Sequence, residues 1–149
     1  MLKKPQSAGF RLETHPFFWF GQIFGLRNRA LNRDLRPYKL DYQRMKVLAV
    51  LAEHSGCSMQ QLADLTAVDR TSLTHTVQLL VNQHLVHRQA RASDRRSVVL
   101  ALTPAGRKMF KRIASLILRL NERTMAGFTA KETQAVLDQL RRMVENLTD

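Results

Sequence analysis

Only Thr66, Ala67 and Val68 separate two short amphipathic segments, each opened by its own capping residue. A connection that short forces the two helices to cross at a sharp angle. The first segment opens at Ser58-Met59-Gln60-Gln61, a capping box, and carries Leu62, Ala63 and Leu65 inward over about two turns. The second opens at Asp69, with Val68 and Leu73 in staple positions around the cap and Val77, Leu80 and Val81 continuing the buried stripe. A helix-turn-helix of this kind constrains everything around it.

The remainder is also helical in period, with one interruption. Residues 1–13 are polar, contain Pro and Gly, and read as an N-terminal arm. Thr14 is expected to cap a first helix with Pro16 in its first turn, and Phe17, Phe20, Phe24, Leu31 and Leu35 recur at turn spacing until Pro37 ends it. Asp41 then caps a second helix with Leu40 and Met45 as its staple pair and Val47, Leu48 and Leu51 on its buried face, up to Ser55-Gly56. Past Gln83 the period becomes alternating: 85–88 and 97–102 predict two strands around the tip Arg91-Ala92-Ser93-Asp94-Arg95-Arg96. Thr103-Pro104 opens a fifth helix striped with Met109, Phe110, Ile113, Leu116, Ile117 and Leu120, and Thr129-Ala130-Lys131-Glu132 opens a sixth with Val136, Leu137, Leu140, Val144 and Leu147.

The fold class this implies is mainly α: a single domain over 1–149 with a winged helix-turn-helix (α+β) at 41–102. The long helices at 14–36 and 104–147 exceed what that module needs, and their stripes are broad enough to bury against one another and against a second chain, as dimerisation helices of a homodimer.

Charge points to the partner. Lys and Arg outnumber Asp and Glu by 24 to 12, for a net charge of +12, an excess suited to a polyanion. No window reaches the ~18–20 apolar residues of a membrane span, since Phe17-Phe18-Trp19-Phe20 is cut by Gly21 and Gln22. Pro5, Gln6 and Ser7 stand where a secretory signal needs its apolar run. The lone Cys57 cannot form an internal disulfide, in keeping with a cytoplasmic compartment, and can pack against Leu62 as a structural thiol. His84 and His87 fall at a helix-to-strand boundary with no Cys or carboxylate beside them, a poor zinc site. No phosphate loop, nucleophile elbow, H-E-x-x-H or C-x-x-C is found, so neither an enzyme nor a cofactor is expected.

Once the fourth helix buries Leu73, Val77 and Leu80, its first half presents Arg70, Thr71, Ser72, Thr74, His75 and Gln78, short donors and acceptors that suit a major groove. Ser58 and Gln60 at the preceding helix start join this DNA-facing set, and unpaired N–H groups of the fourth helix's first turn are available to phosphate. Alone this would read as a solvated amphipathic helix. The cluster Arg88, Arg91, Arg95 and Arg96 just downstream, with only Asp94 among them, changes that balance: an Arg on a hairpin tip can enter a narrow minor groove, and Asp94 can hold a guanidinium in place.

With Asp69-Arg70-Thr71-Ser72-Leu73-Thr74, Leu85-Val86-His87-Arg88, Asp94-Arg95-Arg96 and Leu102-Thr103-Pro104-Ala105-Gly106 at these spacings, the chain resembles the MarR family of bacterial transcriptional regulators over residues 14–147. One departure is His84, where the family commonly has Gly, so a locally different turn is expected there. The resemblance implies a homodimer on a pseudo-palindromic operator in double-stranded DNA, with Arg96 inserted in the minor groove and Asp94 as its partner. It also implies release by a small aromatic or phenolic anion, in a cleft for which His15, Trp19, Met45 and Arg119 are the candidates. Two other readings stay open: an architectural or partner-dependent DNA-binding protein without an effector pocket, and a basic helical protein acting on RNA or an anionic membrane surface.

Overall fold

The computed structural model describes residues 11–91 and 94–148; the side chains of residues 91 and 94–97 lie outside that description. Six α-helices and one antiparallel hairpin follow in the order α1 (Pro16–Leu35), α2 (Tyr42–Glu53), α3 (Met59–Thr66), α4 (Arg70–Asn82), β1 (Val86–Arg91), β2 (Asp94–Leu102), α5 (Pro104–Thr124) and α6 (Ala130–Glu145). The chain divides within α5 into two compact units, Met1–Lys111 and Arg112–Asp149.

In the first unit the helix starts are written in single side chains. The carboxylate of Asp41 accepts from the Arg44 N–H at 2.9 Å, and that of Asp69 from the Ser72 N–H at 2.9 Å. Ser58 and Gln61 complete the capping box on α3, satisfying N–H groups that have no partner inside the helix. The staple pairs close beneath them, with Leu40 and Met45 buried at the start of α2 and Cys57 and Leu62 at the start of α3. At α1 the expected cap is displaced. Leu12–Thr14 form a 3-10 turn in which the Thr14 hydroxyl donates to the Arg11 carbonyl at 2.7 Å, and His15 takes the N-cap position with no side-chain bond to the helix's N–H groups.

The core of this unit is aliphatic: Leu31, Leu35, Leu48, Leu51, Leu62, Leu73, Leu80, Leu100 and Leu102 are all essentially inaccessible. Three sequence expectations differ. Leu65 is half exposed, and Thr66 takes the buried place, its hydroxyl donating to the Leu62 carbonyl at 2.7 Å. Val81 is only partly covered, whereas Thr76 is buried with its hydroxyl on the Ser72 carbonyl at 2.9 Å. Along α1 only Leu31 and Leu35 are buried; Phe17 and Phe24 of the apolar stripe remain exposed.

The hairpin is longer than its alternating pattern suggests. Val86 pairs with Leu102 and the ladder runs to Ala90 opposite Val98, where the register shifts so that Arg91 pairs with Asp94. The backbones of Arg91 and of residues 94–96 therefore belong to the strands and not to a six-residue tip. Cys57 bridges Leu100 on the far edge of β2, with the Leu100 N–H donating to the Cys57 carbonyl at 2.8 Å and the Gly56 N–H to the Leu100 carbonyl at 3.0 Å. The loop before the helix-turn-helix is thereby tied to the wing.

In the second unit a capping box of Thr129 and Glu132 opens α6 as expected. Along α5, Ile113 and Leu120 are buried. By contrast α6 has no buried residue: Val136, Leu137, Leu140 and Val144, which share one face, are exposed, as is Leu147 just beyond the helix.

Candidate nucleic-acid interface

Burial of Leu73, Val77 and Leu80 fixes the roll of α4 and leaves the opposite face outward. On it Arg70, Thr71, Thr74, His75 and Gln78 line one shallow surface depression. Their spacing of one, four, five and eight residues from Arg70 is that of a single helical face, and all five are exposed. Thr74 donates to the Arg70 carbonyl at 2.7 Å and Gln78 to the Asn82 side chain at 2.9 Å. These solvent-facing bonds can exchange for bonds to a base edge at little cost. Gln60 is exposed and bonded to Asp64 at 2.9 Å, and Ser58 is partly covered, its hydroxyl held by the α3 cap.

The start of α4 differs from the sequence expectation. One of its first-turn N–H groups is already engaged, because the Asp69 carboxylate accepts from the Ser72 N–H at 2.9 Å, and hydrogen bonding to this carboxylate, from Ser72 above all, holds its pKa below the ordinary carboxylate value. A negative charge seated on the helix N-terminus stabilises α4 and competes with a phosphate for the same donors. Ser72 gives its backbone N–H to the cap, while its side chain is exposed beside those of Arg70, Thr71, Thr74, His75 and Gln78.

Downstream, Arg88 is exposed on β1 opposite Leu100. The side chains of Arg91, Asp94, Arg95 and Arg96 fall outside the described residues. Arg33–Asp34, Arg44–Asp41 and Arg141–Asp138 form ion pairs, and none of these lies in α4 or the hairpin.

The four effector candidates fall on different elements, His15 and Trp19 at the start of α1, Met45 on α2 and Arg119 on α5. Met45 is buried at its staple position. Trp19 is half exposed, its indole N–H donating to the Glu13 carbonyl at 2.8 Å, and His15 precedes α1. Arg119 is exposed in the second unit. Cys57 is buried, donates to the His54 carbonyl at 2.9 Å, and has its pKa raised by desolvation, which is unfavourable for a reactive thiolate. Among the described residues no cluster of His, Cys, Asp and Glu could hold a metal ion, and no helix is long and apolar enough to cross a membrane.

A group missed by the sequence reading is Lys46 on α2. Its ammonium donates to the carbonyl of Thr66 and lies 5.6 Å from the centroid of the Tyr42 ring. Nothing local signals it, because the two partners are twenty residues apart.

Comparison with known proteins agrees with this layout. Residues 38–97 match the profile of the MarR family. The HTH-type transcriptional regulator TtmR of Methylorubrum extorquens is 31% identical, with 96% of this chain and 70% of that protein covered. A MarR-family transcriptional regulator from Silicibacter pomeroyi superposes with a TM-score of 0.84 at 27% identity, covering 95% of this chain and 96% of that one. BpsR of Bordetella bronchiseptica, whose DNA binding is regulated by 6-hydroxynicotinic acid, shares the fold with a TM-score of 0.82 at 20% identity over 92% of this chain and 98% of its own. The helix order, the winged helix-turn-helix and these likenesses agree, and the chain belongs to the MarR family of transcriptional regulators.

Proposed function

We infer that the protein regulates transcription as a homodimer bound to a pseudo-palindromic site in double-stranded DNA. The observation that carries this is the outward face of α4, where Arg70, Thr71, Thr74, His75 and Gln78 share one surface. Such a row of short polar side chains suits a major groove. The Arg88–Arg96 segment then lies along the backbone and minor groove, with Arg96 entering the groove and Asp94 orienting it, as the family resemblance implies. Two copies of that segment neutralise on the order of 8 phosphates, so the log–log dependence of affinity on salt has a slope near −7.

The test is to select duplexes from a randomised library and titrate substitutions against them. Thr71→Ala and His75→Ala are expected to relax preference at particular base pairs by about 1–3 kcal/mol each, with non-specific binding nearly unchanged. Arg96→Ala is expected to weaken binding most where the flanks are A·T-rich, with Asp94→Ala giving a smaller loss of the same kind. Equal binding to every duplex together with a flat salt response would overturn this reading.

Release by a small hydroxylated aromatic acid completes the reading, supported by the likeness to BpsR and by the aromatic side chains Phe17, Trp19 and Phe24 exposed on α1. Thermal stabilisation by phenolic or hydroxynicotinic acids, with loss of the DNA complex, is the expected result. An architectural DNA-binding protein would show neither.

A further inference from the structure

The reading face of α4 is useful only if α4 leaves α3 at the right angle, and that angle turns on one residue. Ala67 closes α3 with φ 50° and ψ 40°, a left-handed conformation that is costly for any residue carrying a Cβ. Its methyl group has no hydrogen bond with which to offset that cost. The residue just before it is held on two sides. Thr66 is buried, its hydroxyl donating to the Leu62 carbonyl at 2.7 Å, and its own carbonyl accepts from the Lys46 ammonium arriving from α2.

Lys46 is itself well placed. Its ammonium lies 5.6 Å from the Tyr42 ring centroid, within the range of a cation–π contact. Tyr42 is fixed in turn to α1, its N–H donating to the Asn32 side chain at 2.7 Å and its ring meeting Phe24 edge-on at 5.6 Å. The charge also sits at the C-terminal end of α3, where the helix dipole favours a cation. This ammonium is partly desolvated and engaged with a carbonyl of its own chain.

We propose that Lys46 is a positioning residue for DNA recognition: by holding the Thr66 carbonyl it keeps Ala67 left-handed, and so keeps α4 at the angle that presents Thr71, His75 and Gln78 to base edges. This rests on DNA reading by α4 as inferred above, and one arm of the test is independent of that reading.

Lys46→Met keeps an apolar stem over Tyr42 and removes the donor. The probes are the duplex best selected by the wild-type protein from a randomised library and a random-sequence duplex of the same length. Affinity for the selected duplex is expected to fall about tenfold, the size of one lost hydrogen bond from a charged donor, with the random duplex and the salt slope unchanged. Adding Ala67→Gly, which removes the steric cost of the left-handed turn, is expected to bring the selected-duplex affinity within about threefold of Ala67→Gly alone. In the free protein, amide exchange at Ser72 and Leu73, whose N–H groups bond to Asp69 at the end of this turn, is expected to rise at least about fivefold in Lys46→Met. Lys46→Gln, whose amide is too short to reach the same carbonyl, should repeat the pattern and serves if Lys46→Met does not fold.

Equal losses on both duplexes with a shallower salt slope would make Lys46 a phosphate contact and overturn the proposal. So would an unchanged affinity, a failed rescue by Ala67→Gly, or unchanged exchange at Ser72 and Leu73. A wild-type protein that selects no duplex would remove the DNA reading instead, and the exchange measurement would still decide whether Lys46 holds the turn.

Discussion

Gly106 packs so closely on the main chain of Leu85 that a Cβ at this position would come within 2.0 Å of the Leu85 carbonyl oxygen and 2.9 Å of its carbonyl carbon. The same oxygen accepts the Thr103 N–H at 3.1 Å, and the Gly106 N–H donates to the Thr103 hydroxyl at 2.9 Å. The first turn of α5 is thus seated on the entry to the wing, with main chain on both sides and no flexible group able to yield. Gly106→Ala is expected to destabilise the protein by on the order of 3 kcal/mol. Gly21→Ala, in α1 with no atom within 4 Å of the new Cβ, is expected to stabilise it by about 0.5–1 kcal/mol. Urea unfolding at fixed protein concentration distinguishes the two.

The turn after α4 is a Schellman motif built without glycine. The His84 N–H donates to the Val81 carbonyl and the Leu85 N–H to the Leu80 carbonyl, both at 2.9 Å, and His84 stands at φ 56°. The sequence leads one to expect a local departure here because His replaces the family's Gly; the backbone instead keeps the left-handed turn and bears the strain. Leu80 and Leu85 are buried on either side of it, and the Thr103 hydroxyl donates to the His84 carbonyl at 2.7 Å. His84→Gly should therefore stabilise the protein by about 1 kcal/mol, read as a rise in unfolding midpoint. A fall would mean that the imidazole contributes more than its conformation costs.

What could be read from the sequence and what could not divide along the same physical line. The caps at Asp41, Ser58, Asp69 and Thr129 are local, each a side chain bonding a backbone N–H three residues on, and so they are visible in the sequence. The outward face of α4 follows from its apolar period. The length of the hairpin does not, since the polar run 91–96 resembles a loop while its backbone pairs as strand. The burial of Met45 follows from its staple position beside the Asp41 cap, which is local and visible in the sequence. The Lys46–Thr66 bond spans twenty residues and leaves no periodic trace.

Asp69 links stability to acid. Hydrogen bonds from Ser72 and Thr71 lower its pKa in the folded protein, so the carboxylate contributes stability above the unfolded value of about 3.9, and this is lost as pH falls through the lower folded value. Asp69→Ala is expected to lower the melting temperature at pH 7, and the gap from wild type should shrink progressively below about pH 4. Thermal melts across pH 2.5–7 (about half-unit steps) check this; a gap independent of pH would assign the effect to packing and not to the charged cap.

The apolar face of α6 argues for a second chain. A 16-residue helix with no buried residue is marginal by itself in water, because most helical stability in proteins comes from packing an amphipathic face. Here that face is present and uncovered: Val136, Leu140 and Val144 recur along one side and Leu147 follows in the next turn, with Leu140 38% exposed and Leu147 78% exposed. In the proposed homodimer these side chains meet the partner, and burying one leucine contributes about 1.5–3 kcal/mol. Leu140→Glu removes that contribution twice, once per protomer, and places two charges in an apolar interface. The dimer dissociation constant is then expected to rise by about two to four orders of magnitude. Sedimentation at micromolar concentration should show wild-type dimers and Leu140→Glu monomers, and binding to a two-half-site duplex should fall while binding to a single half-site persists. A wild-type monomer would remove the dimer, and with it the two half-sites.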